Sequence, residues 1–331
     1  MKDFKVWDLH CDTLYALLEA DKNGSPARFD KNGLMIDLER LRSGNYLLQC
    51  FACFVDLAEP GDPLVKALRE ADRFQQILAA FPDDLMWVRT PADIDALLRG
   101  GRIGAMLTAE EGGICKDDPA VLRTLYRLGV RMMTLTWNHK NGLAEPNLRP
   151  GPAAWPPQPN TTGGLTETGF AFLQEMERLH MIVDVSHLSD AGIWDVLRAG
   201  RRPFAASHSS ARACCPHPRN LTDEMLAAMG ERGCLVGLNY CPAFLDASAD
   251  RSHLVSRVDD MVRHLRHMID KGGEDLVALG SDFDGIGGTL EIAGAQDMPK
   301  LAEALLAAGF SETQVEKLFW RNAARFFREN L

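Results

Sequence analysis

Short runs of apolar and β-branched residues alternate with longer amphipathic runs along most of the chain. The short runs predict strands and the amphipathic runs predict helices, because strands repeat every two residues and helices every 3.6. The predicted strands are Lys5–Asp12, Leu47–Asp56, Gly104–Glu111, Arg131–Trp137, Ile182–His187, Pro203–His208, Cys234–Tyr240 and Leu276–Phe283. The predicted helices are Pro63–Phe81, Pro119–Leu128, Thr166–Leu179, Asp190–Ala199, Asp223–Arg232, Ser252–Lys271, Met298–Ala308 and Ser311–Glu329.

This alternation of strands and helices indicates a parallel sheet. About eight such units in 331 residues favour an α/β fold of the closed (β/α)8 TIM-barrel type, with additional helices at the carboxyl end. We expect one domain over residues 1–331, because the alternation resumes after the two loop-like segments Asp21–Gly33 and Asn141–Gly164. Both segments follow strands, which makes them candidates for the walls of a pocket.

Composition narrows the class of partner. The net charge of -10 argues against nucleic acid and against an anionic membrane surface. The first residues lack an apolar signal core, and no stretch is apolar enough to span a bilayer, so we expect a cytoplasmic protein. Most of the 8 cysteines fall on apolar segments, which suits free thiols in a reducing compartment. The lone CxxC at Cys50 and Cys53 is a weak metal signal.

Residues that can bind metals recur at the carboxyl ends of the predicted strands, where barrel active sites lie. They are His10, Asp12, Glu110, Glu111, His187, His208, Asp282 and Asp284. Each has an ordinary alternative alone, such as a buried histidine or a helix-capping aspartate. Their repetition at one end of one barrel indicates a metal site instead.

The spacing of these residues indicates which of them act together. His10 and Asp12 are two apart and therefore share a face of the strand, where they can hold one ion. Of Glu110 and Glu111, only one can point into the barrel mouth. Asp282 is a candidate proton acceptor beside an activated water, although Asp-Gly turn chemistry explains the same residues.

On these residues the chain resembles the membrane (renal) dipeptidase family of zinc peptidases, within the amidohydrolase-type barrels. The resemblance is carried, in the family's order, by Asp8-Leu9-His10-Cys11-Asp12, Glu111-Gly112-Gly113, Leu135-Thr136-Trp137, Asp184-Val185-Ser186-His187, Ser207-His208-Ser209-Ser210-Ala211, Arg219-Asn220 and Asp282-Phe283-Asp284-Gly285. It implies two zinc ions per chain. His10 and Asp12 would bind the first ion, His187 and His208 the second, and Glu111 would bridge them.

The resemblance also implies catalytic and substrate-binding roles. Asp282 would transfer the proton and Arg219 would bind the carboxylate of a small dipeptide; Asp284 is a further substrate-binding candidate. The family's animal members end their strand-four motif with His, whereas this chain has Trp137 there. We therefore expect His139 to help polarise the scissile carbonyl.

Other functions remain open on the sequence alone. The nearest alternative is a deacylase of N-acyl amino acids, or an enzyme of related amides or lactones, with the same metals. A lyase or aldolase is disfavoured because no Lys lies at a predicted strand end. A metal-binding protein without catalysis would leave the carboxylate of Asp282 unexplained. Family members often form dimers, so a homodimer is possible.

Overall fold

The computed structural model describes residues 4–148, 155–248 and 250–331. Within them, eight parallel strands form a ring in the order β2-β1-β10-β8-β7-β6-β5-β4, which pairing of β2 with β4 closes. The strands are β1 Val6–Asp8, β2 Tyr46–Phe54, β3 Leu85–Trp87, β4 Ile103–Glu110, β5 Val130–Thr134, β6 Ile182–Asp184, β7 Ala205–Ala206, β8 Leu235–Leu238, β9 Val255–Ser256, β10 Val277–Leu279 and β11 Thr289–Leu290. The predicted (β/α)8 barrel is confirmed.

Helices surround this barrel and follow its strands in turn. They are α1 Thr13–Lys22, α2 Leu38–Ser43, α3 Pro63–Ala80, α4 Pro91–Leu98, α5 Pro119–Arg127, α6 Glu167–Leu179, α7 Asp190–Ala199, α8 Asp223–Glu231, α9 Pro242–Leu245, α10 Val258–Gly272, α11 Met298–Ala307, α12 Glu312–Glu316 and α13 Asn322–Asn330. A π-helical turn, Lys317–Arg321, joins α12 to α13. Among the described residues, no helix has the length and apolarity needed to cross a membrane.

Local sequence sets where these helices begin. Asp62 accepts hydrogen bonds from the backbone N–H groups of Leu64 and Val65 at the start of α3, and Pro63 occupies the first helical position. Thr222 caps α8 through the N–H of Met225. Capping side chains of this kind satisfy backbone donors that the helix itself leaves unpaired. These caps fix the first residue of each helix, while the segments between strands and helices vary in length; the segment between β5 and α6 runs from Leu135 to Thr166.

The amino-terminal end of the barrel is filled by apolar side chains. Trp7, Leu9 and Met106 belong to an interior cluster that also contains residues of α13. Phe327 from α13 stacks on Trp7 with ring centroids 5.6 Å apart and planes 13° apart. Because both rings are buried, this contact removes a large apolar surface from water. The last helix thus closes this end of the barrel.

Each predicted strand overlaps one strand of the ring, but several elements were not predicted. The short strand β3 pairs with the start of β4. Helix α1 follows β1, and helix α4 follows β3. The helix predicted from Ser252 begins only at Val258, because Val255 and Ser256 pair with β11 instead. Of the predicted loop Asn141–Gly164, residues 149–154 lie outside the described part of the chain.

Candidate metal centre

Six buried side chains converge at the carboxyl-terminal end of the ring. They are His10, Asp12, Glu110, His187, His208 and Asp282. They form three overlapping groups, each with candidate ligand atoms within 4.8 Å of one another: His10, Asp12 and Glu110; Glu110, His187 and His208; His10, His208 and Asp282. The strand-end residues predicted from the sequence are therefore brought together, with one exchange between the two glutamates.

Glu110 lies at the centre of the cluster. Its Oε2 is 3.1 Å from Nε2 of His10, and its Oε1 is 3.1 Å from Nε2 of His187 and 3.4 Å from Nε2 of His208. Each carboxylate oxygen thus faces a different group of ligands. A carboxylate with this arrangement has the shape needed to bridge two cations.

Glu111, which was predicted to bridge the ions, points away from the cluster. Side chains alternate along β4, so Glu110 shares the inner face with Met106. After Glu110 the chain turns, with φ of Glu111 at 115°. The Glu111 carboxylate accepts hydrogen bonds from the backbone N–H groups of Gly113 and Trp137, at 2.6 and 2.9 Å. This corrects the prediction, which chose Glu111 for its position before the two glycines.

The tautomers of the two neighbouring histidines suit a cation between them. Nδ1 of His187 lies 2.9 Å from Oδ1 of Asn138, and Nδ1 of His208 lies 2.7 Å from Oγ of Ser207. With these Nδ1 atoms donating, both Nε2 atoms carry lone pairs, yet they lie only 3.1 Å apart. Facing lone pairs repel one another unless a positive charge lies between them.

Unsatisfied buried atoms on the other side of the cluster support the same interpretation. His10 Nε2 and Asp12 Oδ1 are buried, and neither makes a hydrogen bond of acceptable geometry in the described part of the chain, although Nε2 of His10 lies 3.1 Å from Oε2 of Glu110. A buried polar atom without a partner costs about 1–3 kcal/mol. Imidazole nitrogens and carboxylate oxygens are the ligands that zinc and related divalent ions take. The donor set therefore fits a metal centre.

The electrostatics of the cluster also call for a cation. Burial raises the pKa of Glu110 to about 7 and that of Asp282 to about 8. Burial opposes the charged form of His10 as well, but the carboxylates of Glu110 and Asp12 raise its pKa well above the ordinary value. Burial lowers the pKa of His187 and His208. Without a cation, these carboxyl groups resist ionising together near neutral pH.

Comparison with known proteins decides the family. A model of the membrane dipeptidase family, peptidase family M19, matches residues 1–330. The chain belongs to this family. Dipeptidase verJ of Clonostachys rogersoniana is 31% identical over 303 residues, which cover 87% of this chain and 74% of that protein. An uncharacterized protein in the pqqA 5′ region of Klebsiella pneumoniae is 34% identical over 270 residues, covering 81% and 97%.

A solved structure agrees in fold as well as in sequence. The crystal structure of a metallo peptidase from Rhodobacter sphaeroides, liganded with a phosphinate mimic of the dipeptide L-Ala-D-Ala, has a TM-score of 0.91 at 28% identity and covers 100% of both chains. This chain is therefore a metallo-dipeptidase, a hydrolase of the peptide bond in dipeptides. The family predicted from the strand-end motifs is confirmed.

In this dipeptidase, Asp282 lies at the edge of the cluster and has one free side. Its Oδ2 accepts a hydrogen bond from Nδ2 of Asn239 at 3.0 Å, and its Oδ1 is 3.9 Å from Nε2 of His10. The sequence analysis did not single out Asn239, which follows β8 as the other site residues follow their strands. Oδ1 is thus left available to a water or substrate atom beside the ligands.

Two glycines allow the strand ends to approach so closely. A Cβ on Gly280 would lie 1.9 Å from the carbonyl oxygen of Ser207, on the strand that leads to His208. A Cβ on Gly285 would lie 2.1 Å from Oδ2 of Asp12 and 2.5 Å from Oδ1 of Asp282. At Gly280 the obstacle is backbone, so only glycine leaves room; at Gly285 a Cβ would displace two carboxylates of the site.

Backbone strain is concentrated at the same place. His187, Asp282 and Asp284 have φ of 68°, 63° and 67°, a region that residues with a side chain rarely adopt. Such strained residues persist where the surrounding structure holds them, often at functional sites. Here they turn the chain directly after the strands and direct the site side chains over the barrel.

Arg219 lies beside the cluster as a buried guanidinium. Its Nη1 donates to Oγ of Ser209 at 3.4 Å and its Nη2 to the carbonyl oxygen of His208 at 3.1 Å, while its Nε has no partner in the described part of the chain. The ring of Phe244 lies 5.3 Å from the guanidinium carbon. No ion pair to a carboxylate of the described residues neutralises Arg219, so its charge is free to bind an anionic group.

The other two predicted substrate residues have partners within the protein. Nε2 of His139 lies 3.1 Å from Oδ1 of Asp56, and its side chain is 44% exposed. Asp284 accepts hydrogen bonds from Oγ1 of Thr13 and the N–H of Met35, at 2.6 and 2.7 Å, and burial raises its pKa to about 6. Neither belongs to the ligand groups, and their binding of substrate stays a prediction.

Proposed function

We propose that this metallo-dipeptidase uses two zinc ions bound side by side in the cluster. His10 and Asp12 would hold one ion, His187 and His208 the other, and Glu110 would be shared between them. The observation that carries this proposal is the position of Glu110, whose two oxygens face the two groups of ligands at 3.1 Å. Bound ions of this kind supply Lewis acidity and lower the pKa of a coordinated water.

The protein's own residues then handle the proton and the substrate. Asp282 accepts the proton of the attacking water at its free Oδ1 and returns it to the leaving amine, with Asn239 orienting the carboxylate. Arg219 receives the carboxylate of the substrate's second residue, because its guanidinium bonds only to neutral oxygens and forms no ion pair with a carboxylate of the described residues. A guanidinium suits this task, since its planar donors match a carboxylate.

We propose that dipeptides with a D-residue in the second position are among the substrates. Support comes from the relative whose structure holds a mimic of L-Ala-D-Ala and which covers the whole of this chain. Anchoring by Arg219 fixes the carboxylate rather than the side chain of that residue. The enzyme therefore needs a free carboxylate more than a particular configuration beside it.

The test compares substrates that differ at one end only. Zinc-loaded enzyme is assayed with L-Ala-L-Ala, L-Ala-D-Ala, L-Ala-D-Ala amide and N-acetyl-L-Ala-D-Ala. We expect about two zinc ions per chain and cleavage of the free dipeptides, with kcat/KM lower by roughly 100-fold or more for the amide, since a charged hydrogen-bonded contact contributes about 1.5–3 kcal/mol and correct positioning adds to it.

The variant Arg219→Ala completes the comparison. It should lose most of the preference for the carboxylate over the amide, because the partner of that carboxylate is gone. An unchanged preference in Arg219→Ala would exclude the proposed carboxylate site. Turnover only of the N-acetylated substrate would favour a deacylase of the same barrel type, and a folded chain that binds no divalent ion would exclude the metal centre.

A further inference from the structure

Asp184, the last residue of β6, is a buried carboxylate outside the ligand groups. Its Oδ1 accepts hydrogen bonds from the N–H groups of Ser186 and Ser207, at 3.0 and 2.9 Å. Its Oδ2 accepts from Oγ1 of Thr134 at 2.8 Å and from Oγ of Ser207 at 2.5 Å. Four donors therefore surround Asp184, which keeps it an acceptor and directs the hydroxyl proton of Ser207 toward it.

This arrangement determines the direction of the next hydrogen bond. Oγ of Ser207 gives its only proton to Asp184, so toward Nδ1 of His208, at 2.7 Å, it acts as an acceptor. Oγ of Ser186 lies 3.3 Å from the same oxygen and itself accepts from the N–H of His208. The result is a buried chain from Asp184 through Ser207 to the Nδ1–H of His208.

Comparison with a second aspartate at a strand end shows that the hydrogen bonds from Asp184 to His208 do more than hold neighbouring strands together. Asp8, at the end of β1, accepts hydrogen bonds from the N–H groups of His10 and Ser281, just as Asp184 does from Ser186 and Ser207. The hydroxyl of Ser281, however, bonds to backbone groups of His10 and Phe283. The same backbone hydrogen bonds therefore form at both aspartates. Of the two serines involved, Ser207 bonds through its hydroxyl to an imidazole and Ser281 does not.

His187, the other proposed ligand of the same ion, has a different support. Its Nδ1 faces the amide oxygen of Asn138 at 2.9 Å, a neutral group on the loop after β5, where Asn138 is exposed. His208, in contrast, is linked to a carboxylate inside the barrel. A carboxylate behind the ring raises the basicity of the ligating nitrogen more than an amide does.

We propose that Asp184 and Ser207 are positioning residues that fix His208 in the Nδ1–H tautomer and thereby make its Nε2 a strong ligand of the second ion. The proposal rests on the proposed metal centre, and it assigns a role to two residues outside the ligand set. It predicts that His208 binds more firmly than His187 and that this strength depends on one hydroxyl group.

The first test is zinc affinity, measured by competition with a chromophoric chelator on Ser207→Ala and on the matched control Thr134→Val. Both variants remove one hydroxyl donor from Oδ2 of Asp184, but only Ser207 touches His208. We expect Ser207→Ala to weaken one of the two binding steps by about 10- to 100-fold, the usual effect of losing such a supporting group. Thr134→Val should leave both steps within about threefold.

Wild-type affinity at both steps in Ser207→Ala would overturn the proposal, and so would an equal loss in Thr134→Val, which would indicate a structural role for Asp184 alone. If Ser207→Ala does not fold, 15N NMR of the imidazoles in metal-free wild type gives the answer, with His208 assigned through His208→Gln. A protonated Nδ1 supports the proposal and a protonated Nε2 overturns it. If wild type binds no zinc, the proposed metal centre is wrong. The tautomer measurement still tests whether Asp184 and Ser207 fix the tautomer of His208.

Discussion

The two ends of the barrel are built from the same strands and have opposite properties. At the amino-terminal end, Trp7 and Met106 pack with Phe327 in a continuous apolar cluster. At the carboxyl-terminal end, Oε2 of Glu110 lies 3.1 Å from Nε2 of His10 in a buried cluster of carboxylates and imidazoles. One end gains stability from burial, whereas the other end buries charge that the protein alone does not neutralise.

This difference separates stability from chemistry along each strand. On β4, Met106 faces the apolar end and Glu110, four residues later on the same face, lies among the candidate metal ligands. Substitutions at the two ends should therefore fail in different ways. Changes at the carboxyl-terminal end should alter metal content and turnover, and changes at the amino-terminal end should alter the free energy of unfolding.

The largest effect is expected from Glu110→Gln. Loss of the shared carboxylate should lower kcat/KM for a dipeptide by at least about 10³-fold, equivalent to about 4 kcal/mol, and should reduce the bound metal. The matched control is Glu111→Gln, an identical change at the adjacent buried residue. That variant should keep its metal and stay within about tenfold of wild-type kcat/KM, because the Glu111 carboxylate bonds to loop groups of Gly113, Trp137 and Asn141 and not to the candidate ligands.

Metal analysis and steady-state kinetics on both variants check this comparison. Loss of metal in Glu111→Gln with retention in Glu110→Gln would restore the bridging residue predicted from the sequence. Equal loss in both variants would mean that the loop held by Glu111 is as important to the site as the ligand itself.

At the other end, Phe327→Ala should destabilise the protein and leave its chemistry intact. Removing a fully buried ring that stacks on Trp7 costs about 3 kcal/mol or more, through lost burial and the cavity left behind. Urea unfolding should show this loss, while metal content and kcat/KM of the folded variant should match wild type. A fall in kcat/KM at urea concentrations too low to unfold the variant would show that the two ends are coupled.

The smallest effect is a pH dependence of stability that metal removes. The raised pKa values of Glu110, about 7, and Asp282, about 8, mean that the folded metal-free protein keeps protons which the unfolded chain releases. His10, whose pKa is also raised, acts in the same direction. The lowered pKa values of His187 and His208 oppose this only below about pH 6.5.

Stability of the metal-free protein should therefore fall between about pH 6.5 and 8.5, because its stabilising protons are lost in that window. We expect a decrease of roughly 1 kcal/mol or more, which lowers Tm by about 1–2 °C per kcal/mol in a protein of 331 residues. Thermal melts of chelated and zinc-loaded protein across this range measure the difference. Parallel curves for the two forms would show that the cluster does not titrate as described.

The barrel was predictable because its strands and its chemistry follow local rules. Apolar runs that end in His, Asp or Glu identified which strands lead to the site, although the observed strands end earlier, as β1 does at Asp8. Alternation placed His10 and Asp12 together. The same alternation, counted from Met106, selects Glu110 over Glu111. That signal was present in the sequence, but the glycine pair after Glu111 was given more weight.

Other features depend on neighbours that are distant in sequence. The bond from Ser281 to Asp8 joins residues 273 positions apart, and Ser207 meets Asp184 only because β6 pairs with β7. Nothing near Asn138 or Asn239 in the sequence shows that they support His187 and Asp282. Such supporting groups are defined by the packing of strands, which periodicity alone does not specify.

The facing nitrogens of His187 and His208 have a practical consequence for anyone who purifies this enzyme. Two imidazole nitrogens 3.1 Å apart, with a carboxylate oxygen at 3.1–3.4 Å, are a donor set that several divalent ions accept, including trace ions in buffers and nickel leached from affinity resin. The ion found after purification therefore records what the solution supplied. The metal preference of the enzyme is revealed by removing all metal, adding back one metal at a time and comparing the activity that each restores.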